Sequence, residues 1–463
     1  MMKGQIFLVA ALGSLLSACG DSNDTTETER LSAELETAVI AASNGAGLEA
    51  FILPDETDFA SIPQDPNNPI TAEKVALGQM LFHETGLATE GVNPGTNGTW
   101  SCASCHHVAA GFKAGVKQGF GEGGSGFGMF GEGRVLAPGF DPASADPTLV
   151  PDLQPVASTT VLNTAYQEVM LWNGQFGNVV GGLINAGIDP LILEAAGTPK
   201  AENSRDLAGL EIQAVAGTGV HRLKTDTDSV LQTDLTYQAL FSAAFPVSTD
   251  ELEEASKAIA AYERTILANQ APFQLWLKGD EDAMAPNELR GALLFFGEAG
   301  CVACHTGPAL SSPVGATEDE MFFAIGFADF DVNDPAIHGT VDLATSKGRG
   351  GFTTDPADDF KFKVPQLYNL ADTEVFGHGA SFSSVADVIA YKNAGVRQKP
   401  IPTSQLDSRF VPLGLTSAEM SDLTAFLETG LRDPNLQRYV PVATPTGNCF
   451  PNADAQSIAD LGC

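Results

Sequence analysis

Cys102-Ala103-Ser104-Cys105-His106, matched in kind by Cys301-Val302-Ala303-Cys304-His305, sets the reading of the whole chain. Each pentapeptide has the spacing Cys-x-x-Cys-His, the attachment signal for a c-type haem. Two thiols three positions apart on one helical turn can both add to the vinyl groups of a single porphyrin. The histidine that follows is then held close enough to ligate the iron. One copy alone could be a thiol pair or half of a zinc site. A zinc site, however, has no need of a histidine directly after the second cysteine in both copies. His106 and His305 are therefore read as proximal iron ligands. Cys102, Cys105, Cys301 and Cys304 are read as the anchors of two covalently bound haem c groups.

The other cysteines fit an exported protein. The chain has seven, and four are assigned to haem. Lys3, an apolar run from Ile6 to Leu16 and then Leu16-Ser17-Ala18-Cys19 resemble a bacterial lipoprotein signal. In that reading residues 1–19 are the signal segment and Cys19 is lipidated. An ordinary secretory signal cut nearby is the alternative. The expected location is the periplasm, with a lipid anchor in the outer membrane as the only membrane attachment. Cys449 and Cys463 remain, and in an oxidising compartment they most simply form a disulfide.

Composition narrows the partners. The 463 residues carry 58 acidic and 24 basic side chains, a formal net charge of -34. Nucleic acid is excluded as a natural partner, because phosphate binding needs the opposite sign. The acidic surface serves solubility and could attract a basic redox partner.

Hydrophobic periodicity predicts a mostly α protein with long loops and few short strands. It is divided into two cytochrome c-like domains, each carrying one covalently bound c-type haem. Residues 20–69 read as a tether and N-terminal extension, with one short helix over 31–42. The N-terminal domain spans 70–275, the C-terminal domain 285–440, and a disulfide-closed tail 441–463. Helices are expected from Thr71, over 161–172, 204–215 and 237–245, from an Asp250 cap to about 268, and over 288–296 with Asn287 as cap. The Gly-rich run 111–139 lacks the Gly-Lys-Ser/Thr ending of a phosphate loop and reads as a flexible loop near a haem edge. Leu77-Gly78-Gln79-Met80-Leu81-Phe82 before the first motif is echoed by Arg290-Gly291-Ala292-Leu293-Leu294-Phe295-Phe296 before the second. This is a weak internal repeat.

Further pieces carry a family resemblance. Beside the haem motifs and Leu77-Gly78-x-x-Leu81-Phe82 stand Thr160-Val161-Leu162-Asn163, Trp172-Asn173-Gly174-Gln175, Gln213-Ala214, Phe362-Lys363-Val364-Pro365-Gln366-Leu367-Tyr368-Asn369, His378-Gly379 and the closing helix from Leu415-Thr416 to Leu427. Over roughly residues 70–435 the chain resembles the bacterial di-haem cytochrome c peroxidase family, which includes MauG-like enzymes. The resemblance implies that the N-terminal haem meets hydrogen peroxide and the C-terminal haem stores or relays an electron. It makes Trp172 a relay between them. It also raises a calcium ion between the domains, although Ala157 stands where the family has an asparagine and the remaining contacts would be carbonyls near Lys363 and Pro365.

The distal positions depart from the family pattern. No histidine lies between His107 and His221 to cap the first iron. His107 adjoins the proximal ligand, and His83 and Met129 remain as possible caps. An open first haem is the favoured reading. Peroxide cleavage needs an acid/base and a cation. No glutamate follows Gln213, so His221 with Arg222 takes that place, and Glu211 is the fallback. On the second haem the resemblance implies a methionine or tyrosine ligand from the helix after His378-Gly379, which makes Tyr391 the candidate metal ligand ahead of Met321 and Met420. His378 is expected to support the second haem and His338 to lie at the surface.

The function that follows is a di-haem peroxidase-type oxidoreductase drawing electrons from a small cytochrome c or copper protein. A MauG-like enzyme that oxidises residues of a partner protein is the first alternative. A non-enzymatic di-haem electron-transfer cytochrome is the second.

Overall fold

A computed structural model of the chain describes residues 26–177, 184–226, 228–313 and 315–463. The expected signal segment and Cys19 lie outside the described residues. Among the described residues eight longer helices carry the fold: α1 (Glu27–Ala42), α2 (Ala72–His83), α3 (Gly209–Val220), α4 (Leu235–Ala244), α5 (Glu251–Thr265), α6 (Pro286–Phe296), α7 (Val385–Ala394) and α8 (Ser417–Ala425). Two antiparallel ribbons complete it. β1 (Gly124–Ser125) pairs with β2 (Val135–Leu136), and β3 (Phe322–Phe323) with β4 (Phe362–Lys363).

Each haem motif follows a helix that makes one close crossing. α2 is capped by Thr71, whose hydroxyl accepts from the Lys74 N–H, and it packs on α5. α6 packs on α8. The two glycines of the internal repeat sit at these crossings. A Cβ on Gly78 would lie 1.9 Å from the Ala258 carbonyl oxygen, and one on Gly291 would lie 2.0 Å from that of Asp422. No side chain fits there, so each glycine lets two backbones touch. Gly78→Ala and Gly291→Ala are each expected to lower stability by roughly 1–3 kcal/mol, the usual cost of overpacking. Denaturant unfolding of the haem-loaded protein checks this, and wild-type midpoints would contradict the close crossings.

Several elements depart from expectation. The described part of the tether is packed. α1 has a Thr26–Glu29 capping box and buries Leu31, Leu35 and Val39 on one stripe against α6. Trp276 Nε1–H donates to Ser32 Oγ at 2.8 Å. Burying three aliphatic side chains at about 1.5–3 kcal/mol each holds the helix down. The stretch 269–285, where the two expected domains join, is core as well. Phe273, Trp276 and Met284 are buried in one hydrophobic cluster that runs from Leu31 to Tyr439. α6 starts at Pro286 rather than being capped by Asn287. Proline suits the first turn, where its missing N–H costs nothing, and Glu288 accepts the Ala285 N–H.

The expected helix over 161–172 does not form. Asn163 and Leu171 take left-handed backbone angles (φ 60° and 68°). The Asn163 carboxamide is used to tie the loop to the Ala268 N–H and to Gln366.

Cys449 and Cys463 are disulfide-bonded. The tail they close does not trail from the second half. It returns to the first haem motif, where the Pro451 carbonyl accepts from the hydroxyls of Ser101 and Ser104.

Candidate functional site

Both haem motifs form single 3-10 turns, Cys102–Ser104 and Cys301–Ala303. None of the four motif cysteines is in a disulfide. Burial pushes Cys102 and Cys105 up to about 12 and Cys301 up to about 11, so the sulfurs are neutral. Among the described residues no three histidine, cysteine or acidic side chains converge on a metal-ion site. Burial also holds His106 and His305 down to about 4, as neutral imidazoles. That is the form that ligates iron. His305 Nδ1 lies 3.2 Å from both the Leu310 and the Pro365 carbonyl oxygens, which leaves Nε2 for a metal. His106 lies against the carbonyls of Phe112 and Thr159. These residues fit two haem groups.

Trp172 is tied by backbone to both sites. Its Nε1–H donates to the Ala157 carbonyl at 2.8 Å, two residues before Thr159, which touches His106. Its own carbonyl accepts from the Lys363 N–H at 2.8 Å, two residues before Pro365, which touches His305. The Trp172 ring meets His378 edge-on at 6.2 Å, and His378 stacks on Phe362 at 3.7 Å. His378 is buried and bonded to Asp329 at 3.1 Å. This stack lies where the two halves meet. Calcium does not fit at this place. Ala157 offers no side-chain oxygen and its carbonyl is bonded to Trp172, while a buried Lys363 ammonium reaches the Val169 carbonyl at 2.8 Å.

The residues expected around the peroxide site are only partly brought together. His221 ends α3, and its Nδ1 is 2.8 Å from the Asp152 carboxylate. Burial works to lower the imidazole, but the charge and hydrogen bond of Asp152 outweigh it and hold His221 above its ordinary value of 6.5. His221 is close enough to His106 for its charge to depress that residue. Gly121 is what lets Asp152 through, since a Cβ there would lie 2.1 Å from the carboxylate oxygen. Asp152 was not singled out in the sequence. It lies in a Pro-rich connector, Pro138 to Pro155, and nothing local marks it as a partner of His221.

Arg222 does not stand free beside His221. Its backbone is left-handed (φ 57°), and its guanidinium is taken by the fully buried Glu122 carboxylate and the Val150 carbonyl. Glu122 in turn accepts from the N–H groups of Val92 and Asn93. Glu211 is not a free base either. It is fully buried in a two-point ion pair with Arg264, at 2.6 and 3.1 Å, and accepts from Asn68.

The two candidate caps, His83 and Met129, sit in different surroundings. His83 is a core histidine bonded to the Gln79 carbonyl at 2.9 Å and packed on Phe82, Tyr262 and Phe450. Met129 is 72% exposed. His107 turns away to the Ala114 carbonyl at 2.9 Å. His338 rests on the Phe120 ring at 5.4 Å.

The Gly-rich loop is tied down rather than free. The buried Arg134 guanidinium donates to the carbonyls of Phe120, Gly121 and Gly126 and pairs with Asp454 of the tail.

On the second site, Tyr391 is boxed by Phe327, Phe382 and Phe410, with centroids 5.1–5.2 Å away, and its hydroxyl donates to the Ile325 carbonyl at 2.5 Å. Met321 is buried beside Phe322, and the Met420 sulfur accepts from Asn393.

Comparison with known proteins adds the following. The family profile of di-haem cytochrome c peroxidases matches residues 72–282. Cytochrome-c peroxidase IdrP1 of Denitromonas iodatirespirans is 29% identical over 418 residues, covering 86% of this chain and 92% of the relative. Methylamine utilization protein MauG of Methylorubrum extorquens is 27% identical over 380 residues, covering 81% and 82%. The crystal structure of a MauG-like protein associated with microbial copper homeostasis superposes with a TM-score of 0.55 at 23% identity, over 83% of this chain and 95% of that one. This last likeness speaks to the fold.

Proposed function

Because the chain belongs to the di-haem cytochrome c peroxidase and MauG family, and is thus a di-haem peroxidase-type oxidoreductase, we propose that it takes hydrogen peroxide at the haem of Cys102, Cys105 and His106 and passes electrons through the haem of Cys301, Cys304 and His305. Both haems are held by thioether bonds to those cysteines. A bound haem supplies the electron-accepting and electron-donating iron. The protein supplies the proton handling and the path.

The observation that carries this reading is the His221–Asp152 pair beside the first motif. Asp152 accepts the Nδ1–H, which fixes the tautomer and leaves Nε2 free to take a proton. His221 Nε2 takes the proton from one peroxide oxygen and returns it to the other, which leaves as water. The reduction consumes two electrons and two protons in all and yields two waters. Trp172 is the relay, supported by its backbone bonds to both segments that touch the proximal histidines. The electron donor is a small cytochrome c or copper protein in the periplasm. Export and any lipid on Cys19 belong to this reading.

A second reading is favoured by the sequence between His107 and His221, which holds no histidine to cap the first iron. In it the same oxidising power is drawn from residues of a partner protein, with no small donor.

The pH profile tests the proton step. Only the neutral imidazole accepts a proton, and Asp152 holds His221 above 6.5. The peroxide reaction is therefore expected to slow on acidification, beginning above pH 6.5. Asp152→Asn is expected to move that midpoint downward and to cut the rate constant. Stopped-flow absorbance of the haem-loaded protein reads both. A wild-type midpoint in Asp152→Asn would remove the pair from the mechanism.

A further inference from the structure

α7 carries a charge on its inward face. Val385, Val388 and Ile389 fall at the three- and four-residue spacings of one stripe, with Val385 and Ile389 buried and Val388 packed against the core. The next position of that stripe is Lys392, not Tyr391. Its Nζ lies 5.6 Å from the centre of the Phe410 ring and 6.0 Å from that of Phe327. It makes no hydrogen bond and no ion pair with any described residue. The carboxylate nearest in chemistry, Asp407, is held by Arg409 at 2.8 and 2.9 Å. Arg409 also donates to the Ala303 carbonyl, inside the second haem motif. Phe410, whose ring the amine approaches, adjoins Arg409, so the amine stands on the side of that motif.

The amine has aromatic neighbours and no hydrogen-bond acceptor among the described residues, so its lone pair is uncommitted once it is deprotonated. The other side chains that could serve the second iron are committed. The Tyr391 hydroxyl donates to Ile325, the Met420 sulfur accepts from Asn393, and Met321 is buried in a separate cluster.

We propose that Lys392 Nζ is the second axial donor to the iron of the C-terminal haem, opposite His305. The amine gives up one proton to solvent and binds through its lone pair, with no change in oxidation state. The second haem is then closed by two nitrogen ligands, while the first keeps an open face. The proposal rests on a haem being held at Cys301, Cys304 and His305.

The test uses the purified ferric protein with two haems counted per chain. Electron paramagnetic resonance is expected to show one high-spin haem and one low-spin haem with nitrogen ligands. Lys392→Ala should convert the whole low-spin signal to high spin, and added propylamine should restore it. Lys392→Met should give the near-infrared band of a methionine-ligated ferric haem, and Tyr391→Phe should leave the spectrum unchanged. Lys392→Ala with its low-spin signal intact would overturn the proposal, including the case in which the lysine only pairs with a haem carboxylate. Loss of the signal in Tyr391→Phe would overturn it too. A count of one haem per chain would instead strike the di-haem reading beneath it.

Discussion

Replacing Cys102 and Cys105 together by Ala is expected to leave a chain with one covalent haem and no reaction with peroxide. Cys102 opens a single 3-10 turn and Cys105 caps it, with His106 next in sequence. Without both thioether bonds the first haem loses its tether, and His106 is no longer presented to an iron. Nothing at the second site substitutes, because the His221–Asp152 pair lies beside the first motif. The paired control is Cys301→Ala with Cys304→Ala. It is expected to remove the other haem while an initial peroxide reaction at the first site persists. Haem staining of denatured protein and stopped-flow mixing read the two results separately. Full peroxide reactivity in the Cys102/Cys105 variant would place the reacting iron elsewhere.

His221→Ala is expected to slow the peroxide reaction by about 10²–10⁴-fold, the range for loss of a positioned general acid/base. The side chain is held by one strong contact, to Asp152, and its carbonyl accepts from Trp100 Nε1–H at 2.8 Å. The backbone contact survives truncation, so the fold around the first motif is expected to hold. Glu211→Gln makes the contrast. Glu211 is locked to Arg264 inside the protein, so its change is expected to destabilise by about 3–5 kcal/mol, the cost of leaving a buried partner charge unpaired. The peroxide rate of the folded fraction is expected to stay near wild type. Thermal unfolding and rate constants measured on the same samples separate the two. A larger rate loss in Glu211→Gln than in His221→Ala would reverse the roles.

Much of the frame was legible in residues alone. The haem turns, the glycine-bearing helix before each, the α5 cap at Asp250 and the Cys449–Cys463 pairing rest on local spacing, which sequence displays directly. What was not legible depends on long-range partners. Asp152 meets His221 across a Pro-rich connector, Glu122 draws Arg222 away, and Arg264 claims Glu211. No local pattern announces any of these. The docking of the disulfide-closed tail is equally silent in sequence, because the Pro451 carbonyl's bonds to Ser101 and Ser104 join distant parts of the chain. The segment 161–172 has helical composition, but Asn163 uses its carboxamide to brace a loop, and tertiary bonds override propensity. The placement of Lys392 was within reach. The spacing of Val385, Val388 and Ile389 marks the inward stripe, and one step further along it stands the lysine, next to Tyr391.

One equivalent of hydrogen peroxide added to the resting ferric protein is the most direct trial of an open first iron served by His221. The account predicts a high-spin and a low-spin haem at the start, and loss of the high-spin signal within the mixing experiment without any prior reduction. Two low-spin irons, both unchanged by peroxide, would contradict it.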